Sequence, residues 1–331
     1  MKSQDVIKLI KELYPLKRSI CIESSPGTGK TSVVKQAANE LGVPLILIHA
    51  PTMLVEDTGI PWPKENEEYF SYKLPYWFPK EEQPEGILLF DDRNQVSEDI
   101  QKVLANLIQE RTLHGFPLPK GWMVISTGNR VKDKTGSRKV LSHLRNRETV
   151  IEFEPSLQGW TEWAVANGVS ETTVGFINFR PDLLNKYDPD KDINPTPRAW
   201  VEGVDNLLGS VSREHWRNVI LGSVGEGAAD EYMGWIQVAE TMVDLNILIK
   251  DIEQDPKTAY LPSDSMTSYA IISGLAYRAN KDNLGKLITY TQRISMEFVI
   301  LLMMIARNAD PNIIKNRDYI DFLITNQNLV L

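Results

Sequence analysis

The sequence has little cysteine and no excess of positive charge, and both shortages exclude classes of protein. Cys21 is the only cysteine among 331 residues, so an internal disulfide is excluded. The four histidines are scattered without the spacing of metal ligands, and we expect no zinc site. The 36 lysines and arginines are outnumbered by 44 aspartates and glutamates. The net charge of −8 argues against a broad surface for nucleic-acid phosphates.

Long apolar runs are missing as well. The most apolar stretch of the C-terminal part, residues 298–306, is bounded by Glu297 and Arg307. It is shorter than the roughly 20 residues that span a membrane, so we interpret it as a buried helix. Hydrophobic residues make up 42% of the chain and charged residues 24%, as in ordinary globular proteins. We therefore expect a cytoplasmic protein that makes no membrane contact.

A glycine loop stands out near the N-terminus, where residues 24–31 read SSPGTGKT. An apolar run precedes it and an amphipathic segment follows, and this strand, loop and helix order is typical of a phosphate cradle. We expect Lys30 to reach the β- and γ-phosphates and the Thr31 hydroxyl to ligate magnesium. Ser24 stands where the usual pattern has glycine. The residues predicted to contact the nucleotide are Pro26, Gly27, Thr28, Gly29, Lys30, Thr31 and Ser32.

A second half of the site follows a buried strand. Residues 86–90 read GILLF and are followed directly by Asp91 and Asp92. Carboxylates at the carboxyl end of a parallel strand lie where open α/β sheets bind ligands. We predict that Asp91 holds the magnesium ion and that Asp92 orients the attacking water. The alternative is that both acids cap the next helix.

Two longer segments carry a family resemblance. Residues 88–113 read LLFDDRNQVSEDIQKVLANLIQERTL, and residues 122–129 read WMVISTGN. In order and spacing, these segments and the glycine loop resemble the AAA+ ATPases and, within them, the MoxR-type branch. The resemblance implies ATP and Mg2+ as cofactors. Asp92 stands where the branch usually has glutamate, and its carboxylate is therefore withdrawn by about one methylene.

Besides the roles of Asp91 and Asp92, the resemblance implies roles for Asn129 and Arg147. Asn129 matches sensor 1, which helps position the water opposite the γ-phosphate; read alone, it could instead form a turn. Arg147 takes the place of the arginine finger, with Arg145 as the runner-up, and a surface ion pair is the alternative. A finger acts on a neighbouring subunit, so Arg147 implies a site at a subunit interface. Glu148 follows it where the branch commonly has phenylalanine.

The segment NPTPRAW, residues 194–200, resembles the start of the lid helix in this family. Thr196 is the expected N-cap, and Arg198 becomes the candidate for sensor 2. We expect Trp200 to pack inside the lid rather than stack on adenine. The predicted catalytic residues are then Lys30, Asp91, Asp92, Asn129, Arg147 and Arg198.

The fold predicted from these landmarks is α/β: an AAA+ P-loop core with a five-stranded parallel sheet, followed by a helical lid and a helical C-terminal extension. We place the core at residues 1–154, the lid at 155–254 and the extension at 255–331. Residues 50–84, rich in proline and aromatic residues, resemble the helix-2 insert of the branch, and residues 112–119 a second hairpin. We expect Pro61, Trp62 and Pro63 of this insert to grip a partner; the alternative is that the insert's aromatic rings form a small hydrophobic cluster under a long loop. Tyr14 and the two residues after it are the expected adenine contacts.

Three functions remain open at this point. The first is a ring-forming motor that hydrolyses ATP to remodel a protein client. The resemblance implies a hexamer of this chain and a von Willebrand factor A domain protein as the partner. The second is a nucleic-acid motor or loader, which the acidic charge argues against, although residues 130–139 include a basic stretch. The third is a scaffold that binds ATP without hydrolysing it, favoured by Ser24, Asp92 and Glu148.

Overall fold

The computed structural model describes residues 1–63, 68–133 and 147–326. The chain forms two compact units. The first contains Met1–Pro155 with Tyr187–Asp190, and the second contains Ser156–Lys186 and the chain from Lys191 onward.

A five-stranded sheet forms the centre of the first unit, with the strand order β2-β5-β8-β1-β9 and every neighbouring pair parallel. This confirms the predicted five-stranded parallel sheet. The predicted strand positions are correct to within a few residues. The strands are β1 Ile20–Ser24, β2 Leu45–His49, β5 Glu85–Asp91, β8 Gly121–Asn129 and β9 Thr149–Glu152.

Helices cover both faces of this sheet because alternate strand residues point to opposite faces. Ile87 and Leu89 of β5 pack with helices α1 (Ser3–Leu13) and α2 (Lys30–Leu41). Leu88 and Phe90 of the same strand pack on the other face with α3 (Glu98–Glu110). A strand that is buried on both faces reads as an unbroken apolar run, which is what residues 86–90 show.

Two small antiparallel hairpins extend from the core. Strands β3 (Ile60–Pro63) and β4 (Phe70–Lys73) form the first, and β6 (Thr112–Leu113) and β7 (Phe116–Pro117) form the second, as predicted for residues 112–119. The two-residue turn of the second hairpin, His114-Gly115, has positive φ angles of 49° and 86°, typical of a type I′ turn.

The aromatic residues of the predicted insert divide into two groups. Trp77 and Phe78 are buried in the core beside α3. Trp62, Tyr69, Phe70 and Tyr76 are exposed. Tyr72 is half-buried and stacks on His114 at a centroid distance of 4.0 Å. The cluster alternative therefore holds for Trp77 and Phe78, and contact of the exposed residues with a partner stays a prediction.

The second unit is helical, as predicted for the C-terminal part of the chain. Its helices share one hydrophobic core on both sides of the predicted lid boundary, and the division at residue 254 stays a prediction. Among the described residues, none of the helices is long and apolar enough to cross a membrane. The α-helices are α4 Leu157–Ala166, α5 Glu171–Phe179, α6 Asn206–Leu208, α7 Trp216–Val224, α8 Glu226–Thr241, α9 Leu245–Gln254, α10 Ser265–Tyr277, α11 Leu284–Gln292, α12 Met296–Ala309 and α13 Arg317–Thr325.

Trp200 lies in the middle of this helical core, as expected. Its ring packs against Phe176 at a centroid distance of 5.3 Å and against Tyr232 at 5.4 Å. Its indole N–H donates to the backbone oxygen of Leu183 at 2.7 Å. The side chain is thus buried without an unpaired polar atom, which is the condition under which a tryptophan stabilises a core.

Replacing Trp200, which is 0% exposed, should test this packing. We expect Trp200→Ala to lower the free energy of unfolding by about 3–5 kcal/mol, because it removes a large buried ring and leaves a cavity. Chemical denaturation followed by circular dichroism measures the change. Trp62→Ala is the matched control. Because Trp62 is 50% exposed, its replacement should lower the free energy of unfolding by less than about 1 kcal/mol. Equal losses in both variants would contradict the account.

Candidate functional site

The glycine loop joins the carboxyl end of β1 to the first turn of α2. Gly27 and Gly29 have φ angles of 71° and 94°, a left-handed conformation that side chains rarely adopt. A Cβ atom on Gly29 would meet nothing within 4 Å, so glycine is required there by the backbone conformation and not by space. The loop therefore directs its backbone N–H groups and the N-terminus of a 12-residue helix to one edge of the sheet.

Lys30 bridges this loop to a neighbouring strand. Its ammonium group donates to Asn129 Oδ1 at 2.7 Å and to the backbone oxygen of Ser25 at 3.1 Å. The residue is 6% exposed, which is low for a lysine. Asn129 is the last residue of β8, so the structure places the predicted sensor 1 beside the predicted phosphate-binding lysine.

The departure at Ser24 has a local explanation. The hydroxyl groups of Ser24 and Thr28 are hydrogen bonded at 2.5 Å, and Thr28 Oγ1 donates to the backbone oxygen of Ser25 at 3.0 Å. A glycine at position 24 would lack this contact. The serine thus ties the beginning of the loop to its tip and leaves the two left-handed glycines in place.

Asp91 lies at the adjacent strand end and contacts two hydroxyl groups. Its Oδ1 accepts hydrogen bonds from Thr31 Oγ1 at 2.7 Å and from Thr127 Oγ1 at 2.6 Å. A hydroxyl and a carboxylate oxygen side by side are ligands that suit Mg2+, which binds few protein groups and keeps waters and phosphate oxygens. The residues predicted to hold magnesium, Thr31 and Asp91, therefore fit the ion chemically.

Asp92 begins a tight turn behind this carboxylate. Its φ and ψ angles of 52° and 39° are left-handed, and its backbone N–H donates to Thr127 Oγ1 at 2.9 Å. Helix α3 is capped instead by Ser97, whose side chain accepts from the N–H of Ile100. The alternative in which the two acids cap that helix is therefore wrong.

Sequence reasoning missed two residues that organise this edge. Thr127 connects Asp91 to Asp92, as described above. Asn94 donates from Nδ2 to the backbone oxygen of Asn129 at 2.5 Å and accepts from its backbone N–H at 3.2 Å. Strand alternation places residues 127 and 129 on one face and could have indicated Thr127. No comparable pattern indicates Asn94, since its contact depends on how the turn after β5 folds.

Arg147 lies at the other edge of the sheet. Strand β9 begins two residues later at Thr149, which pairs with Ile20, the first residue of β1. The glycine loop follows the last residue of β1, so the structure does not bring Arg147 together with Lys30 or Asp91. The runner-up, Arg145, is outside the described residues.

Arg198 belongs to the second unit. Its side chain is exposed and lies 3.9 Å from the Glu202 carboxylate one turn further along. Thr196 Oγ1 accepts from the N–H of Ala199 at 3.2 Å, which confirms the predicted cap. The segment Ala199–Asp205 that follows is a π-helix, a form that often marks functional sites. The sensor 2 role of Arg198 stays a prediction.

The predicted adenine contact at Tyr14 is wrong. Helix α1 carries the chain away from the edge that bears the glycine loop, and the Tyr14 hydroxyl donates to the backbone oxygen of Gly121 at 3.3 Å. Gly121 is the first residue of β8, at the opposite edge. The N-terminal residue Met1 lies nearer the loop edge, because its amino group donates to the backbone oxygen of Glu152 at the end of β9.

Comparisons with known proteins find a match to the core of the chain. Residues 20–151, fewer than half of the chain, match the family described as "ATPase family associated with various cellular activities (AAA)". A protein of Methanothermobacter thermautotrophicus named as a candidate homolog of a 26S proteasome regulatory subunit is 50% identical over 42 residues. That match covers 13% of this chain and only 11% of the relative's length.

Two solved structures show distant likeness. A closed-state Hsp104 with ATPγS and FITC casein has 16% identity and a TM-score of 0.37, covering 76% of this chain and 46% of that one. A RuvB mutant of Thermotoga maritima has 11% identity and a TM-score of 0.37, covering 98% of this chain and 86% of that one.

Removing the Thr127 hydroxyl should leave the Asp91 carboxylate less firmly oriented, with little change in the volume of the side chain at position 127. We expect Thr127→Val to raise the magnesium concentration that half-saturates nucleotide binding by about tenfold, because Asp91 loses an orienting partner. Titration of magnesium into the protein with a fluorescent ATP analogue measures this. Thr289→Val is the matched control, since that hydroxyl contacts the backbone oxygen of Gly285 in the second unit. An unchanged magnesium requirement in Thr127→Val would contradict the assignment.

Proposed function

We propose that this chain is a ring-forming ATPase of the MoxR-type branch that remodels a protein client, and the match of residues 20–151 to the AAA ATPase family supports the ATPase part of this proposal. One observation carries the proposal. The contacts Lys30–Asn129 and Thr31–Asp91 gather four predicted site residues at one edge of the sheet. This is the edge at which open α/β sheets bind ligands.

Each of these residues has one task in the proposal. Lys30 binds the β- and γ-phosphates beside the loop N–H groups, and Thr31 and Asp91 hold magnesium. Bound magnesium supplies positive charge that neutralises the phosphate oxygens. Asp92 orients and deprotonates the attacking water, and Asn129 positions that water opposite the phosphate. Thr127 keeps Asp91 and Asp92 in a fixed relation through its single hydroxyl.

The position of Arg147 supports action between subunits. The five residues of β1 separate Ile20 from Ser24 by about 13 Å, at about 3.3 Å per residue. An arginine side chain that lies beside Ile20 is too short to reach the glycine loop of the same subunit. A finger at this edge serves the site of a neighbouring copy, which supports a homo-oligomer and, by resemblance to the branch, a hexamer.

The exposed aromatic residues of the β3–β4 hairpin are the part proposed to contact a client. Trp62, Tyr69 and Phe70 present large apolar rings to solvent, and Lys73 lies 3.6 Å above the Trp62 ring. Rings of this kind, exposed on a hairpin, suit contact with an apolar polypeptide segment. A von Willebrand factor A domain partner is part of the proposal through the branch resemblance alone.

A scaffold that binds ATP without hydrolysing it is the second candidate. The short side chain of Asp92 favours it, because an aspartate reaches less far toward an attacking water than the usual glutamate. A nucleic-acid motor has less support, since Arg130 is already paired with Asp133 at 3.0 Å and with Glu152 at 3.5 Å. That arginine is therefore not presented to an external phosphate.

ATP turnover measured against protein concentration separates the two candidates. We expect turnover per chain to rise with concentration as subunits assemble, because the finger comes from a neighbour. Lys30→Ala should abolish turnover, and Arg147→Ala should lower it at least about 100-fold while ATP binding persists. Lys250→Ala, an exposed lysine of α9, is the control. Background turnover with tightly bound ATP in the parent protein would contradict the motor and favour the scaffold.

A further inference from the structure

A buried ion pair connects two segments of the first unit that are 55 residues apart. Arg93 Nη1 donates to Glu148 Oε2 at 2.8 Å, and Arg93 Nη2 donates to Glu148 Oε1 at 2.5 Å. Arg93 is 1% exposed and Glu148 is 5% exposed. The two terminal guanidinium nitrogens each donate to a different carboxylate oxygen, so the pair fixes the orientation of the two groups as well as their separation.

Two polar side chains surround this pair. Ser126 Oγ donates to Glu148 Oε2 at 3.4 Å, and Arg93 Nη2 lies 3.7 Å from Cys21 Sγ. Burial raises the pKa of the Cys21 thiol to about 12, which leaves it neutral at physiological pH. Burial opposes the charge of Arg93, but the adjacent Glu148 carboxylate helps to hold the pKa of Arg93 above its ordinary value.

The two ends of the pair are attached to two different parts of the proposed machinery. Arg93 directly follows Asp92, in the turn at the carboxyl end of β5. Glu148 directly follows Arg147 and precedes β9, at the opposite edge of the sheet. The pair therefore extends along one sheet face, from the water-orienting acid of a subunit to the residue that the same subunit presents to its neighbour.

Stability alone does not account for a charged pair at this place. Desolvating two charges is expensive, and apolar residues of similar volume often stabilise a core as well as a buried ion pair or better. What an apolar pair lacks is the fixed fork geometry of arginine and carboxylate. A requirement for position, and not for burial, explains why Glu148 stands where the MoxR-type branch commonly has phenylalanine.

We infer that Arg93 and Glu148 are positioning residues that hold Arg147 in register with the Asp91–Asp92 turn of the same subunit. The state of one nucleotide site then sets the placement of the arginine offered to the next site. This inference rests on the proposed function, in which Arg147 acts in trans. Neither member of the pair contacts the nucleotide itself in this account.

A mixing experiment tests the inference. Glu148→Gln keeps the shape of the side chain and removes its charge. A subunit with this substitution keeps an intact nucleotide site, but its Arg147 is no longer held by the Arg93–Glu148 pair. We expect ATP affinity within threefold of the parent and turnover reduced at least tenfold. Lys30→Ala subunits cannot bind ATP but present a normal Arg147. An equal mixture should recover about one quarter of the parent turnover, since half the subunits bind ATP and half of those have a Lys30→Ala neighbour.

A second variant covers the case in which Glu148→Gln does not fold. The double variant Arg93→Met with Glu148→Leu replaces the pair with apolar side chains and should keep the melting temperature within a few degrees. We expect the same loss of turnover. Hydrogen exchange of the backbone amides of residues 147–149 should respond to ATP in the parent protein and should no longer respond to ATP in the double variant. Arg278→Met with Glu171→Leu is the matched control, because it removes an Arg–Glu pair of the second unit and should keep turnover within twofold.

The outcomes separate the inference from the proposed function. Parent protein that binds ATP without hydrolysing it overturns both. An active parent with fully active pair variants overturns the inference alone, and the pair is then structural. Pair variants that are inactive and gain nothing from Lys30→Ala subunits also overturn it, because the defect then lies in their own site. Recovery in the mixture supports it.

Discussion

The parallel arrangement of β5, β8 and β1 is the constraint on which the rest of the structure depends. Parallel neighbours end at the same edge, so Asp91, Asn129 and the glycine loop after Ser24 are brought together by strand order alone. Short hydrogen bonds then complete the edge, from Lys30 to Asn129 and from Thr31 to Asp91. The helix that begins at Lys30 adds its N-terminal dipole to the same place.

Much of this edge was predictable because its signals are local. An apolar run predicts a buried strand, the glycines at 27 and 29 predict a left-handed loop, and Asp91 follows its strand directly. The contacts that were missed join distant segments. Asn94 meets Asn129 across 35 residues and Arg93 meets Glu148 across 55, and neither pairing is visible before strand register is known. The prediction that Tyr14 contacts adenine is wrong because closeness to β1 in the sequence does not indicate which end of β1 a residue lies near.

The three residues that depart from the pattern of the branch that the sequence resembles have unequal consequences. Ser24 is explained by its hydrogen bond to Thr28, and Glu148 by its bond to Arg93. Both are compatible with an active ATPase, so they lend the scaffold reading less support than the sequence suggested. Asp92 remains the substantive departure, since the proposed function requires this shorter side chain to orient the attacking water. In that proposal, hydrolysis depends on whether the turn after β5 brings the Asp92 carboxylate close enough to that water.

Calorimetric titration of ATP, with and without Mg2+, tests the central claim most directly, because the claim is that Lys30, Thr31, Asp91 and Asn129 form one magnesium-nucleotide site. The account predicts one ATP per chain, tighter binding with magnesium than without it, and no detectable binding in Lys30→Ala. It also predicts that Asp91→Asn binds ATP with little response to magnesium. Binding that is unchanged in Lys30→Ala, or affinity in the parent protein that is indifferent to magnesium, would contradict it.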